Sequence, residues 1–219
     1  MRTRYIILSI CLIGISSLFS CQPHEEPIDY SLKAGNIYCS NGNIVPPNVY
    51  EENMNGIGVI VTIGKEEDNF SAIAVAKEDI GYYAYADTLM DLETNGEYVT
   101  FDGKENTAIL IAGSIEKDEY DVPAAKAAYS YIAGIVSGWH LPSAGELKDM
   151  AAKKGVVKHS LELIGGKWLD EEEWYQSSTQ DASNDETKQL YNLNVSSGGR
   201  VKASLKTESR PVRPFIVIQ

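Results

Sequence analysis

The sequence predicts an α+β fold on three observations. Short apolar runs rich in β-branched residues come first, two well-punctuated helices occupy the middle, and strand-like segments return at the end. Segregated strands and helices of this kind specify α+β, whereas alternating β-α units would specify a parallel sheet. No repeat of solenoid length breaks the pattern.

The 219-residue chain opens on Arg2 and Arg4, followed by a 15-residue, mostly apolar run at positions 5–19 (YIILSICLIGISSLF). Such a run is short for a membrane-spanning helix and suits the apolar region of an export signal. It ends in Leu18-Phe19-Ser20-Cys21, which resembles the lipobox of bacterial lipoproteins. That resemblance implies a signal peptide over 1–20 and lipidation of the Cys21 thiol, with the membrane as partner through a lipid anchor. Several acyl chains hold a protein stably where one is marginal. Cys11 leaves with the leader, so Cys39 has no intramolecular partner and is expected as a small buried residue.

Positions 21–35 read as a lipidated tether, polar and broken by Pro23 and Pro27. Glu25 and Glu26 resemble the acidic signals that send lipoproteins of Bacteroidota to the outer membrane surface. The expected location is the outer membrane, facing the cell surface, with its periplasmic face as the alternative.

Positions 36–219 are expected to form one domain. Around Asn41-Gly42 two apolar stretches at 36–46 (NIYCSNGNIVP) signal a tight hairpin. The runs at 57–63 (IGVIVTI) and 70–76 (FSAIAVA) read as buried strands. The stretch 77–103 has no sustained period and reads as a long excursion of loops carrying Tyr82, Tyr83 and Tyr85.

A first helix is expected over 123–137, with Pro123 in its first turn, Gly138 as its stop, and Ala125, Ala128, Ile132, Ile135 and Val136 as its apolar stripe. A second begins at Ser143-Ala144-Gly145-Glu146, a capping box, and ends at Gly155. A shorter helical turn follows around Leu161 and Ile164. Strands are then expected over 174–178, 190–195, 199–203 and 212–218.

The charge excludes some partners. Nineteen basic against 31 acidic residues give a net charge of −12, and loss of Arg2 and Arg4 with the leader takes it to −14. That balance repels phosphate backbones, so nucleic acid is excluded as a general partner. With 43% apolar residues the chain can bury a core, which excludes a disordered protein.

The segment Gly138-Trp139-His140-Leu141-Pro142-Ser143-Ala144-Gly145-Glu146-Leu147 resembles a "GW-x-LPS-x-x-EL" element. It belongs to the Lcl C-terminal family and the Fibrobacter major-paralogous-domain family, of the C-type-lectin-like superfamily. Four further blocks fall in the expected order: 57–60 (IGVI), 103–110 (GKENTAIL), 161–179 with Tyr175-Gln176-Ser177-Ser178-Thr179 matching "YWSST", and Val212-Arg213-Pro214-Phe215. Glutamine replaces the tryptophan of the fourth block. The resemblance spans about 36–219 and implies a C-type-lectin-like fold. It also implies an exported protein that binds an extracellular glycan or protein, as an adhesin or pilus-associated subunit, or serves as a structural subunit of an envelope complex.

Within that motif Trp139 and Leu141 are expected to pack between helices and sheet, Pro142 to stiffen the approach, and Ser143 with Glu146 to start the helix. Arg213, between Pro211 and Pro214, is expected to be held by carboxylates or carbonyls. His140 occupies the variable position and is expected to be exposed.

Ligands of such folds engage the loops between the second helix and the last strands. Here that region carries seven acids between 170 and 186, with Trp174, Tyr175, Gln176, Asn184 and Asp185 able to stack on or hydrogen-bond a sugar. The alternative is a solvated acidic loop with Trp174 and Tyr175 in the core. Tyr82 and Tyr83 form a second candidate patch.

The tripeptides of calcium-dependent lectins are absent, so no cofactor is expected, calcium being the one metal whose oxygen ligands the loop offers. Arg200, Lys202, Lys206, Arg210 and Arg213 form a basic stretch that either meets a sulfated glycan or neutralises the acidic loop. No HExxH, C-x-x-C, phosphate-loop or GxSxG motif is present, and no enzymatic activity is expected.

Overall fold

The computed structural model describes residues 27–181 and 189–219. The expected leader at 1–20, Cys21, the start of the tether, Asn184 and Asp185 lie outside the described residues.

The architecture is α+β. In chain order the strands and helices are β1 (Ile37–Cys39), β2 (Ile44–Val45), β3 (Gly56–Ile63), β4 (Ala72–Ala76), β5 (Gly81–Ala84), α1 (Gly103–Lys117), α2 (Pro123–Ser130), β6 (Trp139–His140), α3 (Ala144–Ala152), α4 (Lys154–Leu163), β7 (Tyr175–Gln180), β8 (Gln189–Asn194), β9 (Arg200–Leu205), β10 (Ser209–Val212) and β11 (Phe215–Ile218). A six-stranded antiparallel sheet in the order β2-β1-β3-β4-β11-β6 holds both ends of the domain. A three-stranded sheet, β7-β8-β9, and a two-stranded one, β10-β5, complete the framework.

The hairpin forms where Asn41-Gly42 predicts it, with Gly42 at φ +87°, a conformation natural to glycine. β3 and β4 are buried on both faces, which explains their unbroken apolar runs. On one face Val59, Val61, Ile73, Val75 and Phe215 meet Leu147, Met150, Val157 and Leu161 of α3 and α4. On the other, Ile60, Ala74 and Ile216 pack with Trp139. A third cluster joins Leu110, Val122, Ala125, Ala128 and Leu141 beneath α1 and α2.

The structure corrects the sequence reading at several points. The helix expected over 123–137 stops at Ser130, because Tyr131 turns extended to stack edge-on against Trp139. Ala125 and Ala128 stay buried, but Ile132 and Ile135 are exposed, the first just before and the second within a turn in which Ala133 and Val136 exchange backbone hydrogen bonds. The expected loop excursion contains β5, which pairs with β10 from Ala84↔Ser209 to Gly81↔Val212. The second helix ends at Ala152, before Gly155, and α4 is a full helix of 10 residues. The strand expected over 212–218 is two, parted at Arg213-Pro214. Helix α1 is not apparent in the sequence pattern. Its buried positions Gly103, Asn106, Thr107, Leu110 and Ser114 have helical spacing, yet only one is apolar.

Candidate functional site

Two polar hubs organise the molecule. The first surrounds the start of α3. Ser143 Oγ accepts from the Glu146 amide at 3.2 Å while Glu146 Oε2 accepts from the Ser143 amide at 2.8 Å, completing the capping box. The same carboxylate meets His140 Nε2 at 3.1 Å, and Ser143 Oγ donates to the Thr100 carbonyl at 2.7 Å. His140 is therefore buried, at 1% exposure, rather than solvent-facing. Glu146 is fully buried, and Gly103 leaves the room it occupies: a Cβ there would stand 2.3 Å from its Oε2. This histidine–carboxylate pair is closed to any substrate.

The second hub is Arg213, 2% exposed. Its Nε donates to Asp79 Oδ1 at 2.5 Å, and its Nη1 donates to the carbonyls of Ala76 at 3.1 Å and Lys167 at 3.0 Å. The carboxylate and carbonyls expected around this arginine are thus in place. Asp79 Oδ2 in turn accepts from the Tyr175 hydroxyl at 3.0 Å, and that hydroxyl accepts from the Asp170 amide at 2.9 Å. Above this network opens a cleft of about 510 Å³ lined by Glu78, Asp79, Lys167, Trp168, Asp170 and Arg213. Glu78, Asp79 and Asp170 are exposed on its walls, and Trp168 is half-buried.

The candidate ligand residues separate. Tyr175 is 1% exposed and serves the core and the Arg213 network. Gln176 is fully buried, and neither end of its amide has a partner. Trp174 is half-buried, with Lys202 Nζ 5.0 Å and the Arg200 guanidinium 5.8 Å from its ring centre. Those two cations stabilise the ring through its quadrupole. Tyr82 is exposed and donates to Glu173 Oε1 at 3.0 Å, which ties β5 to the acidic stretch. Tyr83 is half-buried and donates to the Ile80 carbonyl. The rest of the basic stretch disperses, Arg210 to Glu208, Arg213 to Asp79, and Lys206 to the interior. Among the described residues no cluster of three or more His, Cys, Asp or Glu side chains is placed to hold a metal.

Cys39 is 1% exposed in β1, and burial pushes its thiol pKa up, so it is a poor nucleophile. Among the described residues no helix is long and apolar enough to cross a membrane.

Burial, reinforced by Asp79, holds the Tyr175 phenol above its ordinary pKa, and burial does the same for Tyr85. A phenol raised in this way keeps its proton in the fold after the unfolded chain has lost it. Stability is therefore intact below about pH 10 and falls as pH rises beyond it. Urea midpoints measured across that range should drop, with a shallower slope in Tyr175→Phe. A midpoint independent of pH there would contradict the burial assigned to these phenols.

The sequence reading singled out Tyr175 and Arg213 but missed Glu78, Asp79 and Trp168, which complete the cleft. Their signal is weak, since all three lie in connections between elements.

A scan against protein-family profiles finds no match, and no curated protein matches the chain. Among solved structures the chain is similar to a fimbrial protein from Bacteroides ovatus ATCC 8483, a crystal structure at 1.85 Å resolution. The TM-score is 0.65 at 18% identity, over 84% of this chain and 48% of that one. The likeness is one of fold, and this chain spans about half the length of that protein.

Proposed function

We propose that the chain is a surface-associated envelope protein of the fimbrial or pilus-associated kind, which binds an extracellular glycan or protein and turns over no substrate. The observation that carries this reading is the fold likeness to a fimbrial protein across most of the chain. The export signal and lipidated Cys21 expected from the sequence fit such a location. We read the domain as C-type-lectin-like on its five ordered sequence blocks.

The Arg213 cleft is the contact site this reading favours. Its carboxylates accept hydrogen bonds from paired sugar hydroxyls, and Trp168 supplies an aromatic surface beside them. Its volume lies within the usual range for small-ligand sites. Glu78→Ala and Asp170→Ala remove exposed carboxylates without touching the core. Each should lower binding to glycans retained by the wild-type protein on an array, with unchanged unfolding midpoints. Undiminished binding in both variants would remove the cleft from the account.

A structural or assembly role is the second reading, and a separate surface favours it. Tyr129, Ile132 and Ile135 are 61%, 61% and 86% exposed on one short segment. Exposed apolar side chains grouped in this way suit a protein partner. Co-purification with envelope subunits, lost in Ile132→Ser/Ile135→Ser, together with a blank glycan array, would favour this reading.

A further inference from the structure

Lys206, Gln180 and Asp91 meet at a point the proposed function does not use. Lys206, in the turn between β9 and β10, is fully buried, and Gln180 at the end of β7 is 3% exposed. The Lys206 ammonium donates to the Met90 carbonyl at 2.6 Å and to Gln180 Oε1, and it lies 5.7 Å from the centre of the Tyr85 ring. Gln180 Oε1 also accepts from the Leu92 amide at 3.0 Å, while Gln180 Nε2 donates to Asp91 Oδ1 at 2.8 Å. Two donors on the oxygen and a carboxylate on the nitrogen fix which way the amide faces.

We infer that Lys206 and Gln180 are the two halves of a self-forming isopeptide cross-link, with Asp91 as its proton carrier. Each part of an acyl transfer is present. The amine is the nucleophile, the Gln180 carbonyl carbon the electrophile, the Leu92 N–H the donor to the developing oxyanion, and Asp91 sits on the leaving nitrogen. The fold holds these groups together, so the reaction is intramolecular, and positioning of this kind lowers barriers strongly.

Burial pulls the Lys206 pKa down to about 8, which raises the share of neutral amine near neutral pH. Hydrogen bonds from Gln180 and from the Glu93 amide hold the Asp91 carboxyl below its ordinary range, so it starts as the carboxylate.

The step balances without an oxidant or cofactor. Asp91 takes one proton from the Lys206 ammonium, and the freed lone pair forms an Nζ–Cδ bond to Gln180. The Asp91 proton then passes to Nε2 as the Cδ–Nε2 bond breaks, and ammonia leaves. Asp91 accepts the second proton from the new amide nitrogen and hands it to the departing ammonia, which restores its carboxylate. The net change is one side-chain amide formed and one ammonium ion released. The product ties β7 to the β9–β10 turn and closes a loop between positions 26 apart. A covalent tie of this kind resists unfolding by restricting the unfolded chain.

The test is a peptide map of the full chain recovered from cells, denatured and digested before mass spectrometry. The expected result is a branched peptide joining the Gln180 and Lys206 segments, lighter by one ammonia than the two parts together. In Asp91→Asn the branch should be absent or greatly reduced, with the circular dichroism spectrum retained. Linear peptides carrying an unmodified Lys206 in the wild-type protein would overturn the proposal, and that result needs no variant to fold. A branch formed at full yield in Asp91→Asn would overturn the role given to Asp91. The surface reading survives either outcome, because the cross-link does not draw on the cleft.

Discussion

Arg213→Ala is expected to lower the unfolding free energy by about 3 kcal/mol, the low end for breaking a buried ion pair, because the arginine is buried while Asp79 keeps contact with solvent on the cleft wall. The arginine is 2% exposed and serves three acceptors in two separate places, Ala76 and Asp79 at and just after the end of β4, and Lys167 after α4. Removing it leaves two carbonyls without their donor and a carboxylate without its counter-ion, with Tyr175 still bonded to that carboxylate. A domain of this size has a total stability of about 5–15 kcal/mol, so the loss is a sizeable fraction of it. Arg213→Lys should recover only part of it, since an ammonium lacks the planar fork that reaches all three acceptors. Chemical denaturation of the two variants measures this directly. A midpoint unchanged in Arg213→Ala would remove Arg213 from its place as a hub.

Trp139→Ala is expected to cost a comparable amount, about 3–5 kcal/mol, for a different reason. The indole is fully buried in the apolar layer on one face of the large sheet. It lies over Gly58, where a Cβ would come within 3.4 Å of the ring, and meets Tyr131 edge-on at 5.3 Å. Its Nε1 donates to the Val136 carbonyl at 3.1 Å, which holds the chain after α2 in place. The loss combines forfeited burial, a cavity and one of the two hydrogen bonds on the Val136 carbonyl, which keeps the one from the Ala133 amide. Trp139→Phe should recover much of the burial but not the hydrogen bond, and so should fall between wild type and alanine. A cost below about 1 kcal/mol for the alanine variant would contradict the packing described, since a buried Trp truncation is among the most costly.

Features encoded by neighbouring residues were legible in the sequence. Asn41-Gly42 specifies its hairpin, and Ser143 with Glu146 specifies a cap, because both act over three or four residues. β3 and β4 were legible because burial on both faces leaves an unbroken apolar run. Arg213 between two prolines signalled a held guanidinium, although its acceptors, Asp79 and the carbonyls of Ala76 and Lys167, were not foreseeable.

Features that depend on distant partners were hidden. Helix α1 buries Asn106 and Thr107 rather than a stripe of apolar residues, and Thr107 Oγ1 is spent accepting from the Leu141 amide at 3.0 Å. A search for apolar periodicity passes over such a helix. The apolar stripe written through Ile132 and Ile135 misled for the opposite reason. Their spacing is helical, but the edge-on packing of Tyr131 on Trp139 ends the helix first. His140 was misread because its partner Glu146 already had a complete local role in the cap. The cleft was only half visible, since Glu78, Asp79 and Trp168 reach it from connections far apart in sequence.

The central claim is that this is a surface-associated binding protein, and its most direct test is proteolysis of intact cells with an enzyme too large to cross the outer membrane. The chain should be cleaved on intact cells, while a periplasmic control protein is spared. A chain protected on intact cells, and cleaved only after the outer membrane is permeabilised, would contradict it.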